Sequence, residues 1–163
     1  GAHVATTART NDVDKVRALG ADEVIDFTQQ DFADVLSGYD VVLDSLGPAS
    51  LEKSLTVLKP GGLAISVVGP PDPQFATQLG HPLLKPVMAV LSRKIRRQAR
   101  KLGVRYSFFF MRASGAQLAT LGALYDAGTL RPVLDRSFPF DRTLDAIAYV
   151  EQGKAAGKIV VTR

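Results

Sequence analysis

Cysteine does not occur among the 163 residues. Disulfides and thiolate metal ligands are therefore excluded within this chain, no metal site is expected, and the composition fits a reducing, cytoplasmic compartment. No apolar run reaches the roughly 18 residues that a membrane span needs. The opening GAHVATTART has no charged region followed by an apolar stretch, so no signal peptide is expected. Internal repeats and low-complexity tracts are also missing. Histidine occurs twice, as His3 and His81, and neither stands in a partner motif, so both read as surface or loop residues rather than catalysts. A glycine-rich phosphate loop of the form G-x-G-x-x-G is nowhere in the chain.

What is present is 46% apolar residues, enough for a buried core, and a net charge of +4, which favours an anionic ligand without demanding nucleic acid. HVATT (3–7) reads as a β-branched strand. NDVDKVRALG reads as a helix capped by Thr10 or Asn11, with Val13, Val16 and Leu19 as its stripe and Gly20 as its stop. EVIDF (23–27) is a second strand and DFADVLSG (31–38) a short helix. DVVLDS (40–45) is nearly continuous apolar, as expected of a strand covered on both faces. A helix is predicted over 48–58, with Leu51, Leu55 and Leu58 on one face, broken by KPGG before a buried strand, LAISVVG (63–69). The four prolines of 70–82 predict a loop, followed by a long helix from Leu83 to Leu102, kinked at Pro86. VRYSFFFM (104–111) is a strand, and 114–128 is a helix with Ser114 and Gln117 at capping-box spacing. The segment 130–140 is extended, RTLDAIAYVEQG is a helix, and KIVVT (158–162) a last strand. Strands alternating with helices specify an α/β fold with a mostly parallel sheet.

In such sheets ligands bind beyond the carboxyl ends of the strands. Three of those ends are TTART (6–10), DSLGP (44–48) and VVGPP (67–71). Gly47 and Gly69 permit close approach of a flat or anionic ligand, or are plain turn glycines. The first end offers Thr6, Thr7, Arg9 and Thr10 and no acid before Asp12. An acid there would bind ribose hydroxyls and select NAD. An arginine among hydroxyls suits the 2′-phosphate of NADP, the alternative being a solvated surface arginine.

The order LGADEVIDF, YDVVLDSLG, LEKSLTVLKPGG, FFFMRASGAQL, LYDAGTLRPVLDRSFPF, VEQGKAAGKIVV resembles the medium-chain dehydrogenase/reductase superfamily, in its zinc-lacking, NADPH-dependent quinone oxidoreductase branch. That resemblance implies an incomplete Rossmann-type, doubly wound, mostly parallel sheet whose first strand and glycine-rich loop would precede this chain. It implies a partial NADP-binding domain over 1–128, with 129–163 returning toward a GroES-like domain. It places Thr7, Arg9 and Thr10 at the 2′-phosphate, although Asp12 stands where many relatives carry lysine. By the same resemblance Phe27 lies against adenine, and Ser45, Leu46 and Gly47 at the ribose and nicotinamide side. Val68 and Gly69 would line the nicotinamide pocket, Phe109, Phe110 and Met111 would pass near the carboxamide, and Lys158 would lie near the cofactor. The implied cofactor is NADP(H), the partner a small-molecule electron acceptor, and the assembly a homodimer pairing through 104–111. No catalytic side chain is assigned.

Three other readings compete. The basic stretch 93–105 raises nucleic-acid or anionic-membrane binding, but its apolar positions Ile95, Ala99 and Leu102 point one way and its cations elsewhere, as on an ordinary surface helix. Neither nucleic acid nor membrane is therefore expected as a partner. A class I S-adenosylmethionine-dependent methyltransferase also places LKPGG before a strand. A fragment or scaffold without turnover is the third alternative.

Overall fold

In a computed structural model of the chain, residues 1–153 and 155–163 are described. They form two compact units, Gly1–Met111 and Arg112–Arg163. In chain order the first unit contains β1 (Ala5–Ala8), α1 (Val13–Ala18), β2 (Glu23–Asp26), α2 (Phe32–Val35), β3 (Tyr39–Asp44), α3 (Pro48–Ser54), β4 (Leu58–Ser66), α4 (Pro73–Gln78), α5 (Lys85–Leu91), α6 (Arg93–Lys101) and β5 (Arg105–Phe108). The second contains α7 (Gly115–Asp126), β6 (Leu134–Pro139), α8 (Thr143–Glu151) and β7 (Lys158–Thr162).

All the pairings are parallel, as the alternation of elements requires. In the first unit β1 pairs with β2, and β3-β4-β5 form a second sheet. Among the described residues no ladder joins β1 to β3, so each keeps one edge unpaired. In the second unit β6 pairs with β7, and α8 contacts both strands.

One apolar cluster anchors the larger sheet. Leu51 of α3, Leu55 at its end, Leu58 and Ala64 of β4, Ile95 and Ala99 of α6, and Val104 are all buried together. Two fully enclosed leucines, Leu51 and Leu55, hold α3 against the strands, and Leu58 joins them from the first position of β4 rather than from the helix face expected of it.

Several local expectations are corrected. α3 ends at Ser54, and β4 begins at Leu58, so KPGG lies inside a strand rather than between elements. Gly61 takes φ +82°, the register slips between Tyr39 and Val41, and a Cβ on Gly62 would lie 2.9 Å from the Lys59 carbonyl. Those two glycines let the chain bulge without leaving the sheet. β3 is covered on one face only: Val41 and Leu43 are 54% and 69% exposed. The proline-rich segment holds α4, because Asp72 accepts from the Phe75 N–H at 3.1 Å and Pro73 opens the first turn, where its missing N–H costs nothing. For the same reason Pro86, in the first turn of α5, does not kink the later helix. The break falls at buried Ser92, whose Oγ donates back to the Met88 carbonyl at 2.7 Å. Neither Thr10 nor Asn11 caps α1; both lie in a 3-10 turn, and Thr10 donates to a side chain of the next strand.

Candidate functional site

At the carboxyl ends of β1 and β2 lies a cleft of about 440 Å³, walled by Thr7, Phe27, Phe32, Leu46 and Ala49 and rimmed by Gln30, Asp31, Ser50 and Lys53. Its two large apolar faces are unpartnered: Phe27 is 53% and Leu46 74% exposed. Leu46 reaches the cleft because Gly47 takes φ +105° and turns β3 directly into α3. The rim is pinned by Asp31, which accepts from the Ala33 N–H at 3.0 Å and pairs with Lys53. The Lys53 hydrogen bond, then that of Ala33, holds the Asp31 carboxyl below the usual range.

Beside the cleft, Thr10 and Thr28 converge on Asp26. Thr10 Oγ1 donates to Oδ2 at 2.6 Å, and the Thr28 N–H and hydroxyl donate to Oδ1 at 2.9 and 2.7 Å. These bonds, Thr10 first, lower the Asp26 pKa from its ordinary value. Asp26 is a site residue that sequence reading missed. The signal for it was present: an aspartate closing a strand two residues before a threonine is an Asx-turn pattern.

A second polar cluster lies under the ends of β3, β4 and β5. Asp44 is buried, and its Oδ2 accepts from Ser66 Oγ at 2.9 Å. Ser66 Oγ in turn accepts from the Gly69 N–H at 2.8 Å. Asp44 Oδ1 has no hydrogen-bond partner among the described residues. Tyr106 Oη donates to the Pro70 carbonyl at 2.7 Å, and Asp72 Oδ2 accepts from the Phe108 N–H at 2.9 Å. Burial first, then the Asp72 and Asp44 charges, push the Tyr106 hydroxyl well above the usual tyrosine range. Beyond β5, Phe110 leans on Phe75, which meets Phe108 edge-on at 4.9 Å.

The residues singled out from sequence are distributed as follows. Thr7, Phe27 and Leu46 share one cleft, and Ser45 and Gly47 flank Leu46. Arg9 is exposed at the head of the 3-10 turn after β1. Thr10 is engaged by Asp26. Val68 and Gly69 follow β4 above the Asp44–Ser66 pair, and Phe109, Phe110 and Met111 are exposed after β5. Lys158 opens β7 in the second unit and is exposed. His3 lies at the other end of the strands, near Asp22 and Glu23 at 3.7 and 3.8 Å, and His81 is exposed before a 3-10 turn.

The sequence matches the zinc-binding dehydrogenase family over residues 19–161. It is 35% identical to the mitochondrial NAD(P)H oxidoreductase of Danio rerio, over 99% of this chain and 43% of that protein. To the chloroplastic NADPH-dependent alkenal/one oxidoreductase of Arabidopsis thaliana it is 32% identical, over 97% of this chain and 33% of that protein. The quinone oxidoreductase from Coxiella burnetii shares the fold, with a TM-score of 0.74 at 23% identity over 98% of this chain and 45% of that one. The chain thus spans less than half the length of these relatives. Despite the family's name, the residues described do not fit a zinc site: no three His, Asp or Glu side chains among them converge to hold an ion. Nor, among them, is any helix long and apolar enough to cross a membrane. The methyltransferase reading falls with the family match, and the fold is the Rossmann-type α/β fold that the resemblance implied, with its first-unit strands in two separate sheets. By match and fold together, the chain belongs to the zinc-binding dehydrogenase family, within the medium-chain dehydrogenase/reductase superfamily.

Proposed function

We propose that the chain is the cofactor-holding portion of an NADP-dependent oxidoreductase that passes hydride from NADPH to a quinone or enone-like acceptor. The observation that carries this reading is the apolar cleft at the strand ends, where Phe27 and Leu46 stand exposed beside Thr7. Two such faces suit a planar base, with stacking on the phenyl ring supplying affinity. Arg9 meets the ribose 2′-phosphate through a charge-assisted fork. Thr10, already committed to Asp26, positions the turn that presents Arg9. Ser45 and Gly47 allow the ribose close approach, and Val68, Gly69 and Phe109–Met111 border the nicotinamide. The dihydronicotinamide, when bound, supplies the hydride. The relatives support this reading, since those cited above are named as NAD(P)H- or NADPH-dependent oxidoreductases.

Titration with NADPH and NADH tests it. Phe27→Ala weakens both by about fivefold, the lower end of what base stacking contributes. Arg9→Gln weakens NADPH and spares NADH. An unchanged NADPH affinity in Phe27→Ala defeats the reading. We further propose a homodimer through the outer edge of β5, which among the described residues pairs only with β4. Sedimentation as a monomer at all concentrations rules that out. A cytoplasmic location is proposed from the absence of cysteine, whereas relatives carry "mitochondrial" and "chloroplastic" in their names. Cell fractionation decides between these compartments.

A further inference from the structure

α5 is apolar on its solvent side as well as on its buried one. Val87, Val90 and Leu91 of α5, with Leu83 in the 3-10 turn just before it, recur at spacings of three and four, the pattern that places an apolar stripe on one face. Such a stripe normally faces the core, yet these four are 92%, 56%, 72% and 58% exposed. The only buried residue of α5 is Met88. After the break at Ser92, α6 turns Ile95 and Ala99 inward, which leaves Arg93, Arg97 and Lys101 outward at four-residue spacing. A groove of about 630 Å³ joins the two patterns, with Val90 and Leu91 lining it beside Arg93, Arg97 and Lys101. Lys94 also lines it and is drawn to Glu52 of α3. From Pro73 to Met111 the chain carries eight Lys and Arg and not one Asp or Glu.

We propose that α5 and α6 together form a docking surface for an anionic lipid bilayer. Leu83, Val87 and Val90 enter the headgroup boundary while Arg93, Arg97 and Lys101 meet the lipid phosphates. Charge complementarity identifies the partner: a cationic face on a segment without acids, with Lys94 alone among its lining cations drawn to a carboxylate among the described residues, selects an anionic surface, and an aliphatic stripe beside it selects one with a hydrocarbon layer. Nucleic acid is disfavoured because the face offers branched aliphatics and no aromatic ring on which bases could stack. The ordinary-surface-helix reading of 93–105 weighed α6 alone, whereas the outward stripe of α5 lies just upstream of it. The inference is independent of the cofactor reading.

The test is flotation of the 163-residue chain with vesicles of phosphatidylcholine, alone or with about a third phosphatidylglycerol, at physiological salt. Recovery is expected with the anionic vesicles only, rising with anionic fraction and falling with added salt; these readouts need no variant. Arg93→Gln with Arg97→Gln lowers the partition coefficient roughly 30-fold, at about 1 kcal/mol per cation. Val87→Ser with Val90→Ser lowers it about tenfold. No capture, or equal capture by both vesicle types, overturns the proposal. So does displacement by a short DNA duplex together with an unaltered Val87→Ser/Val90→Ser variant, which identifies a nucleic-acid face instead.

Discussion

Gly69→Ala adds one carbon where the fold has no room for it. An ideal Cβ at this position lies 2.8 Å from Ser66 Oγ, 2.8 Å from Tyr106 Oη and 3.0 Å from Leu51 Cδ2. None of the three can retreat freely. Ser66 Oγ is tied both to Asp44 Oδ2 and to the Gly69 N–H, Tyr106 Oη to the Pro70 carbonyl, and Leu51 is fully enclosed. Overpacking of this kind costs about 1–3 kcal/mol. If Ser66 moves, buried Asp44 loses the one side-chain donor it has, which adds about 1–3 kcal/mol. The stiffer unfolded chain returns about 0.4–1 kcal/mol, so the net loss is roughly 1–5.5 kcal/mol. Urea denaturation measures it. With a slope of about 1–3 kcal/mol per molar, the midpoint falls by at least roughly 0.3 M with the slope unchanged. A variant within about 0.5 kcal/mol of the parent, an ordinary surface substitution, refutes the steric argument. A cycle with Ser66→Ala sharpens it: the two losses should not add, because both act on one hydrogen-bonded cluster.

Gly122→Ala is the converse case, since it lies inside α7 with nothing within 4 Å of its added carbon, and melting should show a gain of about 0.5–1 kcal/mol. Ser114→Ala removes the hydroxyl that accepts from the Gln117 N–H at the head of α7 and should lower stability by about 1 kcal/mol in the same assay. Tyr106 has its folded pKa above the unfolded value near pH 10, so its contribution is complete below that pH and lost as pH rises further. Alkaline unfolding curves should therefore steepen above about pH 10, and flatten in Tyr106→Phe. Asp26 and Asp31 have depressed pKa values, so their contributions are present above about pH 4 and lost as pH falls below it; Asp31→Asn should show a shallower acid transition than the parent.

The alternation of helix and strand was legible because the apolar runs are short and most of the predicted helices stop at a glycine, as at Gly20, Gly38 and Gly128. Where that reading slipped, a local rule carried two meanings. Prolines at 70–82 suggested a loop, yet an aspartate followed by proline is also how a helix begins, and α4 begins that way. The apolar spacing from Leu84 to Leu102 runs unbroken through Ser92, so periodicity could not reveal a break made by a side chain bonding to the preceding turn. KPGG looked like a helix stop because a strand containing two glycines is recognised only once its bulge is seen. Thr7, Phe27 and Leu46 were named from three separate strand ends, and one cleft receives them all. Asp44 went unnoticed because its partner Ser66 lies 22 residues away, which no linear pattern connects; for Asp26 the local Thr28 pattern was legible, but its bond to Thr10, 16 residues away, was not.

The unjoined edges of β1 and β3 have a kinetic consequence. Amide protons are shielded only as well as the ladder that holds them. With no hydrogen-bonded rung between the two sheets, the β1–β2 ribbon can fray while the β3–β4–β5 slab, clamped by Leu51 and Leu55, stays shut. Deuterium should therefore enter residues 5–8 and 23–26 well before 63–66, in two separate waves.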